Sequence, residues 1–174
     1  MSKNMKIISR LNVLLLIPGM LSVSSIAYAE SGEWRKPLEK ELETDSKWRL
    51  EDKNRYLVQS ADFDGDGKKD IASLLVNTKL GKMGLFVEFG KVPEKKEKLD
   101  ELPVKNLEWL GIGLVTEGKI ETACGKGYFE CAKGEPKIFE VELPVINYFK
   151  DEGANQFFYF DKKNDKFKKI QISD

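Results

Sequence analysis

The chain has 174 residues, in which 29 Lys and Arg balance 29 Asp and Glu, so its formal net charge is zero. Histidine is absent, which excludes Ser-His-Asp and Cys-His catalysis and removes the commonest zinc and copper ligand. Mixed charges of balanced sign give no strong field for nucleic acid or an anionic membrane surface. Length and composition therefore predict one globular domain that does not bind nucleic acid.

The N-terminus has the order of features found in an export signal. Residues 1–29 carry three basic side chains and no acidic one, and an apolar stretch begins at 11–17. That stretch is shorter than the roughly 20 residues that span a bilayer, and the Ala-Tyr-Ala at 27–29 fits signal peptidase. We predict a signal peptide at 1–29, a single domain at 30–174, and a periplasmic or secreted protein with no stable membrane anchor after cleavage.

The mature chain begins with a helical pattern. Trp34, Leu38 and Leu42 are four residues apart, which places them on one stripe of a helix, and Pro37 suits a first turn. This spacing predicts a helix over 34–50.

Strand patterns follow the predicted helix and continue to the C-terminus. Short apolar or alternating segments are separated by Gly, Pro and polar turns, and they lie at 56–58, 71–76, 84–89, 107–110, 112–115, 119–122, 137–143, 145–149, 156–160 and 167–172. The charged segment 91–103 is interpreted as a solvated loop or a single helical turn. The expected fold class is α+β, with an N-terminal helix and a mostly antiparallel β-sheet in a single domain.

An acidic loop follows the first predicted strand. Residues 62–70 read Asp-Phe-Asp-Gly-Asp-Gly-Lys-Lys-Asp. A hard cation such as calcium needs about six to eight oxygen ligands, and alternate side chains in a tight turn converge on one centre. Without an ion the four carboxylates would repel one another, although a metal-free Asp/Gly turn is the alternative. We expect calcium, bound by four side chains and by one carbonyl that Gly67 turns inward: Asp62, Asp64, Asp66, the Lys68 carbonyl and Asp70.

The segment DFDGDGKKDIA resembles the calcium loop of FG-GAP and VCBS-type repeats, in which a D-x-D-x-D-G-x-x-D turn joins two strands. The resemblance covers about residues 57–76 and implies calcium ligation through the same five residues. An EF-hand fits less well, because its twelfth position is a bidentate Glu and Ser73 stands there in this chain. Those families build propellers from many repeats, and this chain has one copy, so the propeller fold and an adhesion function are not implied.

The two cysteines, Cys124 and Cys131, both fall in the exported part. In an oxidising compartment a pair this close in sequence most often forms a disulfide. The alternative is a metal bound by the two thiolates, but four-coordination would need further Cys or His ligands, and the sequence has none. We therefore predict a disulfide that closes residues 124–131 into a ring.

This ring contains residues that are typical of binding surfaces. Lys126, Tyr128 and Phe129 are basic and aromatic anchors, and closing the ring meets part of the ordering cost before a partner binds. They are the candidate partner-binding residues. The alternative is a stapled connection between strands whose aromatic side chains pack inward.

Four consecutive aromatic residues occupy 157–160. A sugar-stacking face is one interpretation, and a strand buried on one or both sides is the favoured one.

Taken together, these patterns predict an exported, calcium-stabilised binding or interaction module without catalytic activity, whose partner is a protein or a cell-wall component. The alternative is a periplasmic enzyme inhibitor or immunity-type protein that uses the loop at 124–131. Paired carboxylates can hydrolyse glycosidic bonds, but the densest acidic cluster is better explained as an ion cage.

Overall fold

The computed structural model describes residues 33–43, 47–49 and 52–173, and the strands within these ranges pair antiparallel throughout. The leader predicted at 1–29 lies outside the described residues. Its cleavage and the start of the domain at residue 30 therefore stay predictions.

Four strands form the first sheet as a meander in which each strand pairs with the next. They are β1 (Val58–Ala61), β2 (Asp70–Asn77), β3 (Lys82–Glu88) and β4 (Lys96–Pro103). The middle strands β2 and β3 are buried over most of their length, as expected of strands covered on both faces. The loop or helical turn predicted at 91–103 is wrong over its second half, where β4 forms a charged edge strand. Charges on an edge discourage pairing with other chains.

The other six strands form two further sheets. They are β5 (Leu110–Val115), β6 (Lys119–Glu121), β7 (Ile138–Glu140), β8 (Val145–Lys150), β9 (Asn155–Asp161) and β10 (Lys166–Ser173). A second four-stranded sheet has the order β10-β9-β8-β5, and β6 pairs with β7 as a two-stranded sheet. The outer strand β10 therefore has one free edge within its own sheet.

The two four-stranded sheets share one hydrophobic core. Leu74 and Leu85 from the first sheet lie in the same buried cluster as Ile112 and Phe158 from the second. The opposite face of the second sheet has a smaller cluster that includes Phe157 and residues of β7. Strand β9 is consequently covered on both sides, which accounts for its consecutive aromatic residues.

The predicted α+β class is wrong, because the described residues hold ten strands, three short 3-10 helices and no α-helix. The 3-10 helices are Glu39–Glu41, Lys47–Arg49 and Val104–Glu108. Only single turns therefore occur in the described part of the segment that the sequence assigned to an N-terminal helix.

Strand pairing overrides the helical spacing at 34–42. Arg35 and Val76 exchange two backbone hydrogen bonds of 3.0 and 2.8 Å, which continue the β1 side of β2. Lys36 precedes Pro37, and a residue in that position is driven away from helical backbone angles. Leu38 is 48% exposed, so the residues at four-residue spacing do not form a buried stripe.

Candidate functional site

The acidic loop connects β1 to β2 and turns sharply at two glycines. Gly65 and Gly67 have φ angles of 74° and 88°, in the left-handed region that glycine enters without the steric cost of a Cβ atom. Because β1 and β2 pair from Ala61 with Asp70 onward, the eight residues between them must reverse direction in a short distance. The turn therefore brings its side chains toward one another.

Three of the predicted ligands lie together. One carboxylate oxygen from each of Asp62, Asp64 and Asp70 lies within 4.8 Å of the others, so the group could hold a metal ion. Asp70 is fully buried, and the other two are partly buried. Carboxylate oxygens are ligands that hard divalent cations prefer.

Backbone amides of the loop donate to its own carboxylates. Asp62 accepts hydrogen bonds from the amides of Asp66 and Gly67, at 3.0 and 2.9 Å. Asp64 accepts a second bond from the Asp66 amide at 3.1 Å, and Asp66 accepts one from the Lys68 amide at 2.8 Å. These bonds satisfy backbone amides of the turn and fix where the carboxylates lie.

Asp70 joins the loop to the first sheet from both sides. Its two oxygens accept the amide of Phe63 and the amide of Gly90, each at 2.9 Å. A Cβ atom at Gly90 would lie 2.2 Å from the Lys69 carbonyl oxygen, so this contact admits only glycine. Sequence reasoning missed Gly90, because it lies 20 residues beyond Asp70 and only the pairing of β2 with β3 brings it to the loop.

The surroundings of Asp64 in this loop disfavour its negatively charged form. Burial raises the pKa of Asp64 above its ordinary value, and the neighbouring carboxylates of Asp70, Asp66 and Asp62 raise it further against the opposing hydrogen bond from the Asp66 amide. The negatively charged form of Asp64 therefore costs folding free energy. A bound cation would reverse this cost.

Two predicted ligands lie outside the three-carboxylate group. The Asp66 Oδ2 atom is 4.0 Å from the Lys91 ammonium, which makes this exposed lysine a further neighbour that the sequence did not indicate. Lys68 donates its amide to Asp66, while the inward position of its carbonyl stays a prediction. Ligation by Asp66 also stays a prediction.

The predicted disulfide is confirmed. Cys124 and Cys131 are bonded, with their Cα atoms 4.9 Å apart. The Thr122 hydroxyl shares its one proton between the carbonyls of Pro136 and Lys137, at 2.9 and 3.1 Å, and so fastens the start of the loop to the chain that enters β7. The loop is therefore held by one covalent and several polar contacts.

The loop also lies against β10. The Ala123 amide donates to the Gln171 carbonyl at 3.0 Å, and the Lys126 ammonium donates to the Ile172 carbonyl at 2.9 Å. Tyr128 and Phe129 are 55% and 45% exposed. Of the three candidate partner-binding residues, the lysine is thus engaged with the protein's own backbone and the two aromatic rings project toward solvent.

Comparisons with protein-family models, with curated proteins and with solved structures found no match. The resemblance of residues 57–76 to FG-GAP and VCBS-type loops accordingly rests on the residues of the loop alone. The disulfide is compatible with an oxidising compartment outside the cytosol. Within the described ranges, no helix has the length and apolar character needed to cross a membrane.

Proposed function

We propose that the protein is an exported binding module, stabilised by calcium at the acidic loop and without catalytic activity of its own. The observation that carries the proposal is the grouping of Asp62, Asp64 and Asp70 within 4.8 Å. The export signal predicted at 1–29 and the disulfide support a location where calcium is abundant.

Calcium suits this loop better than magnesium. Calcium accepts irregular shells of about six to eight oxygens, whereas magnesium demands nearly octahedral geometry and keeps several waters. The loop offers carboxylates at Asp62, Asp64 and Asp70 together with the backbone carbonyls of a tight turn. Mixed-ligand loops of extracellular modules bind calcium with dissociation constants of roughly 10⁻⁴ to 10⁻³ M.

The ion would stabilise the fold by linkage. The ligand group exists only when β1 and β2 pair and the turn closes, so calcium binds the folded chain in preference to the unfolded one. At about 100 times the dissociation constant, such binding adds about 2.7 kcal/mol to the free energy of unfolding.

The test is the melting temperature of the mature protein in calcium, in magnesium and in chelator, at constant ionic strength. We expect the highest melting temperature in calcium. Identical melting in all three solutions would overturn the site, and equal stabilisation by magnesium would overturn the assignment of calcium while retaining a metal.

A second candidate function is inhibition of an enzyme by the disulfide loop. The specific observation in its favour is the exposure of Tyr128 and Phe129 at a covalently closed loop. Rigid aromatic anchors are typical of residues that carry the binding energy of an interface. Because the Lys126 ammonium is already bonded to Ile172, the two rings would be the main anchors in an enzyme's cleft.

Pull-down from a periplasmic extract in calcium distinguishes the two functions. One stoichiometric enzyme partner, lost with Tyr128→Ala or Phe129→Ala and kept with the control Leu80→Ala, supports inhibition. Leu80 is also exposed, at 53%, and it lies in the connection between β2 and β3. Retention on cell-wall glycan that is unaffected by the loop variants supports the binding module.

A further inference from the structure

Two ammonium groups of the protein itself lie at the acidic loop. The Lys91 ammonium is 4.0 Å from the Asp66 Oδ2 atom. A Cβ atom at Gly65 would lie only 2.7 Å from the Lys162 Nζ atom, so the Lys162 side chain lies directly against the loop. Gly65 stands between Asp64 and Asp66 in the sequence. Both lysines therefore bring positive charge to the turn that carries the predicted metal ligands.

The two lysines reach the loop from separate connections, and backbone contacts hold each connection in place. Lys91 follows Gly90 between β3 and β4, and the Gly90 amide donates to a carboxylate oxygen of the buried Asp70 at 2.9 Å. Lys162 lies in the turn between β9 and β10, which an amide-to-carbonyl hydrogen bond of 3.0 Å closes. The pairing of the strands thus fixes where both lysine side chains begin.

A neighbouring ammonium group has opposite effects on the metal-free and the metal-bound loop. One carboxylate oxygen from each of Asp62, Asp64 and Asp70 lies within 4.8 Å of the others, and a positive charge nearby offsets their mutual repulsion. Beside a bound divalent cation the same ammonium is a like charge and repels the ion. Each lysine should therefore stabilise the metal-free loop and lower its affinity for the metal.

We propose that Lys91 and Lys162 are built-in counter-ions of the metal site, which support the folded loop at low calcium and keep calcium binding weak and reversible. The inference rests on the proposed calcium site and names how that site is regulated. The Lys91 side chain is 68% exposed, and Lys162 is exposed as well, so both side chains can move away from the loop when the ion binds. A site of this kind responds to changes in external calcium.

The experiment is calorimetric titration of the mature protein with calcium at low ionic strength. Lys91→Gln and Lys162→Gln should each raise the calcium affinity about fivefold, the size expected of one exposed charge near a divalent ion. Lys91→Arg and Lys162→Arg keep the charge and should bind calcium as the wild type does. Lys79→Gln is the matched control, because Lys79 is exposed in the turn at the opposite end of β2 from the acidic loop.

Two further measurements separate the effect of charge from an effect of packing. The gain in calcium affinity of the Gln variants should shrink in high salt, because salt screens exposed charges. In chelator, both Gln variants should unfold at lower urea concentration than the wild type, since the carboxylates of the loop lose a counter-ion. Saturating calcium should reduce or reverse that difference in stability.

Calcium affinity that is unchanged or lowered in both Gln variants would overturn the proposal and leave the metal site intact. A gain in affinity that the Arg variants reproduce would also overturn it, because such a gain arises from packing and not from charge. Absence of calcium binding in the wild type and in every variant would overturn the metal site together with its counter-ions.

Discussion

The acidic loop at 62–70 and the disulfide loop at 124–131 keep their shapes by opposite means. The acidic loop depends on hydrogen bonds between its carboxylates and its own amides, and it gathers charges that oppose folding. The disulfide loop is closed by a covalent bond and polar contacts to neighbouring chain. We therefore expect the first to respond to cations and pH, and the second to respond to redox conditions.

The two loops also differ in how much of each is buried in the core. The acidic loop reaches the core through Phe63, which is fully buried, and through the buried carboxylate of Asp70. The disulfide loop leaves its largest side chains, Tyr128 and Phe129, in solvent. The acidic loop should accordingly matter more to stability, and the disulfide loop more to contacts with other molecules.

The largest expected effect is that of Asp70→Ala. This change leaves the amides of Phe63 and Gly90 without their acceptor. The first bond is buried and the second is part-buried, so the loss should cost about 3 kcal/mol of unfolding free energy. Asp66→Ala is the control within the same loop and should cost about 1 kcal/mol or less. Urea unfolding in chelator measures both, and equal losses would show that Asp70 does not anchor the loop.

The next effect separates the charge of the acidic loop from its shape. Asp64→Asn keeps an oxygen that can accept the Asp66 amide but removes the charge. It should abolish the calcium increment of about 2.7 kcal/mol. In chelator at neutral pH the variant should be at least as stable as the wild type, because a carboxylate with a raised pKa destabilises the fold once it ionises.

The pH dependence of that difference gives a control. The favourable contribution of protonated Asp64 is fully present below its unfolded pKa and is lost as pH rises through the raised folded pKa. The stability of the wild type relative to Asp64→Asn should therefore decline as pH rises through this range. A difference that is constant with pH, together with an unaltered response to calcium, would contradict the electrostatic account of the loop.

Removal of the disulfide should lower the free energy of unfolding by slightly less than the loss of the calcium increment. Replacing Cys124 and Cys131 with Ser reopens an eight-residue ring, for which the chain-entropy model gives about 2.5 kcal/mol. The calcium increment should be unchanged in this variant, since separated sites contribute nearly additively. Denaturant unfolding with and without calcium measures both terms, and a lost calcium increment would mean that the two loops are coupled.

The smallest effect concerns a partly buried carboxylate whose pKa moves in the direction opposite to that of Asp64. Hydrogen bonds from Arg35, together with one from the Leu38 amide, lower the pKa of Glu41 to about 2. The contribution of ionised Glu41 to the free energy of unfolding is present above the unfolded carboxyl pKa and is lost as pH falls toward about 2. Solvent screening limits the contribution to about 1 kcal/mol.

Glu41→Gln supplies the measurement for that pair. The difference in unfolding free energy between wild type and variant should shrink as pH falls from about 6 to about 2. It should also shrink in high salt, because the pair is only partly buried. A difference that does not change with pH would show that the pair contributes nothing to the fold.

The sequence predicted the parts of the site that are local. The alternating carboxylates at 62–70 and the short Cys spacing at 124–131 are visible without knowledge of the fold, and the structure groups three of the carboxylates and closes the ring. Gly90 and Lys91 reach the acidic loop only through the pairing of β2 with β3. No local pattern specifies that pairing.

The fold was predicted less well where two local patterns conflicted. Trp34, Leu38 and Leu42 have helical spacing. Two effects outweigh that spacing: Pro37 favours an extended backbone at residue 36, and β2 offers backbone groups at Val76 that hydrogen-bond to Arg35. The charged strand β4 lacks an apolar alternation because it lies at an edge. The spacing of residues along the sequence does not reveal which strands pair or which strand lies at the edge of a sheet.

The contact of the disulfide loop with β10 has a consequence for self-association. β10 is the outer strand of its sheet, and an unpaired edge is a template for strand addition by a second copy. The amide of Ala123 donates to the carbonyl of Gln171, and the ammonium of Lys126 donates to the next carbonyl, that of Ile172. We therefore expect the disulfide between Cys124 and Cys131 to help hold this cover on the last strand, and the reduced protein to aggregate more readily at high concentration.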